Sequence, residues 1–443
     1  MRVMTSLRAF AAVVLCALFL VAALPARALE VQRVVSPGGL EAWLVEDHKV
    51  PVVAVEFLFR GGSSVDPAGK PGLANLTAGL LDEGAGDLDS QAFAQRLQDD
   101  AITVSFSVTP DSFNGSLKTL TEHQDAAIEL MALALTRPRF DAEAIERVRN
   151  AVIGEIRTQQ ADPSKVARRA FYARLFPDHP YGRDDQGTLE SLPGLGADDL
   201  RGFVAHHLTR DRLLVAVTGD IAPGQLGEVL DRLFGSLPAD GAAVEVPETT
   251  PAHAGETQVV ARPIGQTIIL MGQQGLKRAD PDWFPAYVMN YVLGGGGFSS
   301  RLTEEVREKR GLSYGVYSYL YPYDHAALVI GGGATVNAKA GQALALMKQE
   351  WARMAAGGIT AKELADAKTY LTGSFPLQFT SAAAIARTVL EVQREKLGLD
   401  YLQRRDSLIE AVTLDDVARV AKRLLDPAKL TTVVVGQPQG IGD

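Results

Sequence analysis

The sequence predicts an α+β fold made of two homologous halves, and three observations support this prediction. In residues 197–219 and 414–436, separated by 217 positions, aspartates open a helical pattern and a β-branched run ends in glycine. A second similar pair, residues 140–154 and 359–373, is separated by 219 positions, so coincidence is improbable. Within each half, strand-like segments precede helical ones without strict alternation, which favours a sheet with helices packed on one side.

Individual segments support the mixed composition. Residues 51–59 (PVVAVEFLF) and 101–108 (AITVSFSV) have the β-branched, aromatic or alternating character of strands. Residues 117–135 and 142–159 carry apolar side chains at helical spacing. A short buried strand is predicted at residues 433–435, close to the end of the second half.

The N-terminus has the features of a secretory signal peptide. Arg2 and Arg8 precede an uncharged apolar run at residues 11–24, and Ala26-Arg27-Ala28 supplies the small residues of a cleavage site. We expect cleavage after Ala28, with an uncleaved membrane anchor as the alternative; the run is short for a spanning helix. A secreted chain whose mature part has no cysteine fits a bacterial periplasm better than a eukaryotic extracellular space.

Cysteine usage and charge narrow the possible functions. The only cysteine, Cys16, lies inside the signal segment, so the mature chain can form no disulfide and no thiolate metal site. Loss of that segment would change the net charge from −9 to −12, because three arginines leave with it. Such an acidic chain is a poor candidate for binding nucleic acid or an anionic membrane, and we expect no membrane association after cleavage.

The repeat divides the 443-residue chain into segments. Residues 1–28 are the predicted signal peptide and residues 29–238 the first domain. Residues 239–257, rich in Ala, Pro, Thr and Glu, are predicted to be a linker, and residues 258–443 form the second domain.

A motif in the first half resembles one in a known enzyme family. Residues 61–84 read GGSSVDPAGKPGLANLTAGLLDEG, similar to the start of peptidase family M16, the pitrilysin and insulinase family. In that family an inverted motif, His-x-x-Glu-His, supplies two zinc ligands and a general base. Here Asn75 stands at the first histidine, Ala78 at the glutamate and Gly79 at the second histidine. Alanine and glycine have no group that could replace a ligand or a base, so the resemblance implies a degenerate site.

The family's third zinc ligand is a glutamate, and Glu155 is the matching residue, 80 positions after Asn75. One carboxylate without its two imidazole partners does not hold zinc at useful affinity, so a helix-surface role for Glu155 is favoured. The resemblance therefore implies no metal on this chain. His179, in the sequence His-Pro-Tyr-Gly, is interpreted as a structural loop residue.

The second half resembles the C-terminal half of the same family. Residues 291–320 read YVLGGGGFSSRLTEEVREKRGLSYGVYSYL, and the family's substrate-binding arginine and tyrosine fall on Arg307 and Tyr314. The glycine-rich loop is Gly294, Gly295, Gly296 and Gly297.

The local sequence predicts a helix followed by a strand in the segment that carries Arg307 and Tyr314. A serine, Ser299 or Ser300, can cap a helix that Gly311 ends in the left-handed conformation. A strand would follow, with Leu312 and Tyr314 on one face. The alternative for Arg307 is a surface ion pair with a neighbouring glutamate, and for Tyr314 a place in the core.

The resemblance implies a fold and a division of labour. Two α/β-roll domains of the type shared by LuxS and the mitochondrial processing peptidase would form half of a clamshell. The chain would be the non-catalytic subunit of a periplasmic peptidase, and a homologous partner bearing the zinc motif would carry the zinc and hydrolyse the peptide substrate. Two alternatives stay open: a non-enzymatic peptide-binding or scaffold protein with this fold, and an independent peptidase with a displaced site.

Overall fold

A computed structural model describes residues 29–442 of the chain. The expected signal peptide, residues 1–28 with Cys16, lies outside the described residues. Within 29–442, no helix is both long enough and apolar enough to cross a lipid bilayer.

Two separate sheets confirm the α+β prediction. The first has the strand order β1-β2-β6-β3-β5-β4 and the second has the order β7-β11-β8-β10-β9. The strands of the first sheet are β1 (Gln32–Val35), β2 (Glu41–Glu46), β3 (Val52–Arg60), β4 (Thr103–Val108), β5 (Ser112–Leu120) and β6 (Leu213–Gly219). Those of the second are β7 (Thr257–Ala261), β8 (Gln266–Gln274), β9 (Gly315–Pro322), β10 (Ala327–Val336) and β11 (Thr431–Gly436).

The two sheets share one topology, as the repeat predicts. In each sheet the last strand of the half pairs in parallel with the first or second strand, β6 with β2 and β11 with β7. The remaining ladders are antiparallel, and a hairpin, β4–β5 or β9–β10, closes one edge. The first sheet differs by one added edge strand, β1, which pairs with β2.

Helices surround both sheets. They are α1 (Leu73–Ala78), α2 (Ser90–Asp99), α3 (Gln124–Thr136), α4 (Ala142–Ala161), α5 (Pro163–Leu175), α6 (Ala197–His207), α7 (Pro223–Phe234), α8 (Trp283–Asn290), α9 (Ala340–Gly357), α10 (Ala361–Gly373), α11 (Ala382–Arg394), α12 (Tyr401–Glu410) and α13 (Leu414–Leu424). Residues 239–256 contain no helix or strand.

Helices of each half pack on one side of its own sheet, as expected, but the sequence did not predict what covers the other side. One face of each sheet packs on helices of its own half, and the other face is covered by a helix from the opposite half. Helix α5 of the first half lies on β8 and β11, while α11 of the second half lies on β3 and β6. Both helices have 13 residues, and their first residues are 219 positions apart. The halves therefore exchange equivalent helices.

The core formed by this exchange is apolar. Phe171 and Leu175 of α5 pack against Leu270 of the second sheet, and Val389 of α11 packs against Leu58 of the first. Adjacent strand residues point to opposite faces, so consecutive buried residues show that β3, β6 and β11 are buried on both sides over most of their length. The apolar character of residues 52–59, interrupted by Glu56, follows from this double burial.

One helix boundary differs from the prediction. Residues 117–120 belong to strand β5 rather than to the following helix, since Leu117 lies opposite both Val55 and Val104 in the sheet. The helix starts at Gln124, after a short 3-10 turn. Pairing with β4 in a hairpin and with the more distant strand β3 decides the conformation, and helical spacing within residues 117–120 does not reveal it.

Candidate functional site

A buried carboxylate fixes the start of α1, the helix that carries the degenerate motif. Asp66 accepts hydrogen bonds from the backbone N–H groups of Gly72 and Ala74, both at 2.9 Å. Burial raises the pKa of Asp66 to about 7, and the backbone donors act against that rise. Gly72 has a φ of +91°, and a Cβ there would press on the carbonyl of Gln186, so glycine is required.

The degenerate motif lies on α1 and at its end. Asn75 is partly buried, Ala78 is buried, and Gly79 is the exposed residue that follows the last turn. A Cβ at Gly79 would come within 3.2 Å of the Val148 side chain on α4, so these two helices are adjacent. Glu155 is exposed two turns further along α4, where its Oε1 accepts a hydrogen bond from Gln159 at 2.8 Å.

These side chains do not fit a zinc ion. An amide, a methyl group and a hydrogen atom stand where two imidazoles and a carboxylate would be needed. Across residues 29–442, no cluster of three or more His, Cys, Asp or Glu side chains is arranged to hold a metal.

His179 has a structural position. Its Nδ1 accepts a hydrogen bond from the backbone N–H of Tyr181 at 3.1 Å, and its Nε2 lies 2.9 Å from the carbonyl of Pro247. Since Nδ1 accepts, Nε2 is the nitrogen that donates. Burial lowers the pKa of this imidazole, which agrees with the interpretation of His179 as a loop residue.

The glycine-rich loop continues α8 as a single widened turn, Tyr291–Gly295. A Cβ at Gly294 would collide with the backbone of Ser318 on β9, so close packing requires glycine at that position. Gly297 has a φ of +55° and open space around it. The loop is therefore packed tightly at its beginning and projects into solvent at its end.

Arg307 lies beside this loop. It is on a helical segment that has widened turns over Thr303–Glu308. Ser300 caps this segment, since its hydroxyl oxygen accepts a hydrogen bond from the Thr303 N–H at 3.4 Å. The Arg307 guanidinium lies 4.7 Å from the centre of the Phe298 ring, and its Nε is 3.3 Å from Glu308. Phe298 is 74% exposed. The segment ends at Gly311 with a φ of +57°, as the sequence predicts.

Tyr314 is not on a strand face shared with Leu312, so that expectation is wrong. The strand begins only at Gly315; Leu312 is 4% exposed, whereas Tyr314 is 87% exposed. The Ser313 hydroxyl, which donates to the carbonyl of Ala334 at 2.6 Å, holds the chain in a bend between them. The alternative of a core tyrosine is therefore also excluded.

Two residues of this region were missed by the sequence analysis. Phe298 follows the four glycines directly and stacks under Arg307, and an aromatic residue in a glycine-rich loop could have indicated this role. Asp66 lies six positions before the cap of α1, and nothing in the local sequence reveals that its carboxylate folds back onto that helix.

Comparisons with family models give a consistent result over most of the chain. Residues 42–188 match the model described as insulinase (peptidase family M16). Residues 194–371 match the model described as the peptidase M16 inactive domain.

Individual relatives cover both halves. A protein of Helicobacter pylori named non-peptidase homolog YmxG is 28% identical over 391 residues, covering 88% of this chain and 90% of its own. A Bacillus subtilis protein named uncharacterized zinc protease YmxG is 26% identical, over 89% and 95% of the two chains. The crystal structure of a peptidase M16 inactive domain from Pseudomonas fluorescens has a TM-score of 0.87 at 29% identity, covering 93% and 98%.

Proposed function

This chain belongs to peptidase family M16 as a non-peptidase homologue, and we propose that it is the non-catalytic subunit of a two-chain zinc peptidase. The observation that carries the proposal is the contrast between its halves. The first half has lost the groups that bind zinc and remove a proton, at Asn75, Ala78 and Gly79. The second half keeps Arg307, which is partly exposed beside Phe298 of the glycine-rich loop, and Tyr314, which is 87% exposed.

In the proposed complex the partner is a relative with an intact His-x-x-Glu-His motif. The partner's zinc would supply Lewis-acid chemistry, and this chain would bind no metal of its own. Arg307 offers a guanidinium that stays charged and has several fixed donors. Tyr314 offers a hydroxyl that has no hydrogen-bond partner within residues 29–442, so it is available to a substrate.

Arg307 and Tyr314 would hold backbone carbonyls of the peptide and donate to the oxyanion that develops during cleavage. One well-placed donor of this kind contributes about 3–4 kcal/mol to transition-state stabilisation. The open space around Gly297, at the end of the glycine-rich loop, would give Phe298 and Arg307 room to adjust to the bound peptide. The substrate class is a short or unfolded peptide, and the compartment is the periplasm, from the signal segment at residues 1–28.

A non-enzymatic peptide-binding or scaffold protein is the second candidate. Arg307 already contacts Phe298 and Glu308, so it has a structural role that needs no substrate. In that case the surface beside the loop would have no effect on hydrolysis by a partner.

The test is reconstitution. The mature chain is isolated with its co-purifying relative, identified by an intact zinc motif, and each is assayed alone and together on a quenched fluorescent peptide. We expect no hydrolysis by this chain alone, little by the partner alone and a large increase for the mixture. Equal rates for the partner with and without this chain would refute the proposal and favour the scaffold.

A further inference from the structure

A row of four tyrosines runs along one face of β9 and just beyond its end. Tyr317, Tyr319, Tyr321 and Tyr323 occupy alternate positions, so their side chains point the same way. Successive ring centres are 5.8, 6.2 and 4.4 Å apart. Tyr317 lies across Gly332 of β10, where a Cβ would come within 2.7 Å of its hydroxyl oxygen.

Helix α5 forms the opposite wall. Lys165, Arg168 and Tyr172 are three and four positions apart and so lie on one face of the helix. They line two cavities, of about 400 Å³ and about 240 Å³, that share this wall along the tyrosine row. We call the two cavities together the tyrosine groove.

The α5 wall carries a net positive charge. Lys165 and Arg168 are exposed, and neither forms a direct ion pair within residues 29–442. Asp185 lines the same cavity as Arg168, whose charge acts to lower the pKa of that carboxyl, but burial outweighs this effect and raises the pKa. The neighbouring Arg169, by contrast, is paired with Asp184. Two like charges one turn apart repel each other slightly, so this arrangement brings the fold no stability of its own. On an acidic chain, such a pair of cations indicates a place for an anionic group.

The tyrosine wall adds donors. Burial raises the pKa of both Tyr317 and Tyr319, so their hydroxyl groups remain protonated at neutral pH. Strand β9 is also an edge strand, and its outer backbone groups pair with no other strand of residues 29–442. An unpaired edge can accept an extended peptide through backbone hydrogen bonds.

We propose that the tyrosine groove binds an extended peptide segment bearing glutamate or aspartate side chains. The carboxylates would lie against Lys165 and Arg168, and the apolar parts of the peptide would contact the tyrosine rings. The inner end of the groove contains Asp184 and Asp185, next to Arg169 and Arg183, so the acidic side chains would lie at the Lys165 end. This deepens the proposed function, on which it rests, by naming a class of substrate segment.

Fluorescence anisotropy on the mature chain alone tests the proposal. Three labelled twelve-residue peptides alternate valine with glutamate, glutamine or lysine. We expect the glutamate peptide to bind about tenfold or more tighter than the glutamine peptide, and the lysine peptide to bind weakest. The double variant K165A/R168A should lose this preference, and K165E/R168E should favour the lysine peptide. The control K362A/K429A removes two cations that are 83% and 71% exposed elsewhere, and should bind as the parent does.

An unchanged glutamate preference in K165A/R168A, or a parent preference for the lysine peptide, would overturn the proposal. Circular dichroism confirms that each variant is folded, and both alanine positions are exposed on a helix that keeps its buried face. The assay contains no partner. If reconstitution fails, the binding assay still tests the tyrosine groove. If the binding assay is negative, the proposed role as a non-catalytic subunit is not affected.

Discussion

Arg394 of the second half forms an ion pair with Asp111 of the first, with Nη2 and Oδ2 3.7 Å apart and side chains only 16% and 4% exposed. The same Nη2 lies 3.0 Å from Asp324, while Tyr181 donates to Asp111. Burial raises the pKa of Asp111, and the nearby guanidinium opposes that rise. The charge on Arg394 thus compensates a carboxylate that the exchanged helices have removed from water.

Replacing Arg394 with alanine is expected to destabilise the protein by about 3 kcal/mol, because a buried carboxylate would lose its partner. Urea denaturation of the mature chain measures this. The matched control is R404A, whose 2.7 Å pair with Asp400 is largely exposed and should contribute about 1 kcal/mol or less. Equal losses in the two variants would contradict a special role for the buried pair.

In the reconstituted peptidase, R307A and Y314F should each lower kcat/KM by roughly 10- to 1000-fold, since each removes a donor to the developing oxyanion. The readout is peptide hydrolysis at a fixed ratio of the two chains. R232A, a change to a half-exposed arginine on α7 whose partner Asp125 is 89% exposed, is the control and should act as the parent does. Full activity in both R307A and Y314F would remove these residues from the mechanism.

The parent chain should contain no stoichiometric zinc after dialysis. The triple variant N75H/A78E/G79H restores the family's ligand types on α1 and is expected to gain about one zinc per chain, measured by atomic emission. Adding E155A to it should weaken that binding, because the fourth helix would no longer supply a ligand. The new side chain at position 79 must displace Val148 slightly, so V148A in the same background is a useful companion. Absence of zinc in every variant would show that more than the motif has been lost.

His207 predicts a pH dependence of stability. It is buried against Phe203 on α6, and burial together with Arg212 lowers its pKa to about 4 from a reference value of 6.5. Between these values the unfolded chain binds more protons at this position, so the free energy of unfolding should fall as the pH drops from about 6.5 towards 4. The contribution is fully present above pH 6.5.

The variant H207N keeps an acceptor near the position of Nδ1, to which Arg212 donates at 3.1 Å, but does not titrate. Its free energy of unfolding should therefore change less than that of the parent over this pH range. Buried acids such as Asp66 titrate in both proteins and cancel in the difference. Parallel curves for the two proteins would mean that His207 contributes nothing.

The sequence predicted the duplication and most of the strands because these depend on patterns within short segments. Alternation marks β4, and the β-branched run marks β11. It did not predict the exchange of α5 and α11. The apolar faces of these two helices do not indicate which sheet they cover, because the hydrophobic effect is not directional and either sheet could bury them.

For the site, the sequence identified residue types but not all of their positions. The sequence alone shows that zinc ligands are missing at Asn75, Ala78 and Gly79, because the type of side chain decides whether it can bind zinc. The orientation of Tyr314 depends on the bend held by Ser313, a contact with β10 that is 21 positions away. The partnership with a second chain remains a proposal.

Because of the exchange of helices, the first sheet is synthesised well before the helix that covers its second face. The first sheet is complete once Gly219 has left the ribosome, but 162 further residues must be added before α11 begins at Ala382. At roughly 5–20 residues per second this takes about 8 to 32 seconds. For that time the nascent chain carries a wide apolar surface with nothing to cover it. Until α11 is made, this face of the first sheet is therefore open to aggregation in a way that it is not in the completed chain.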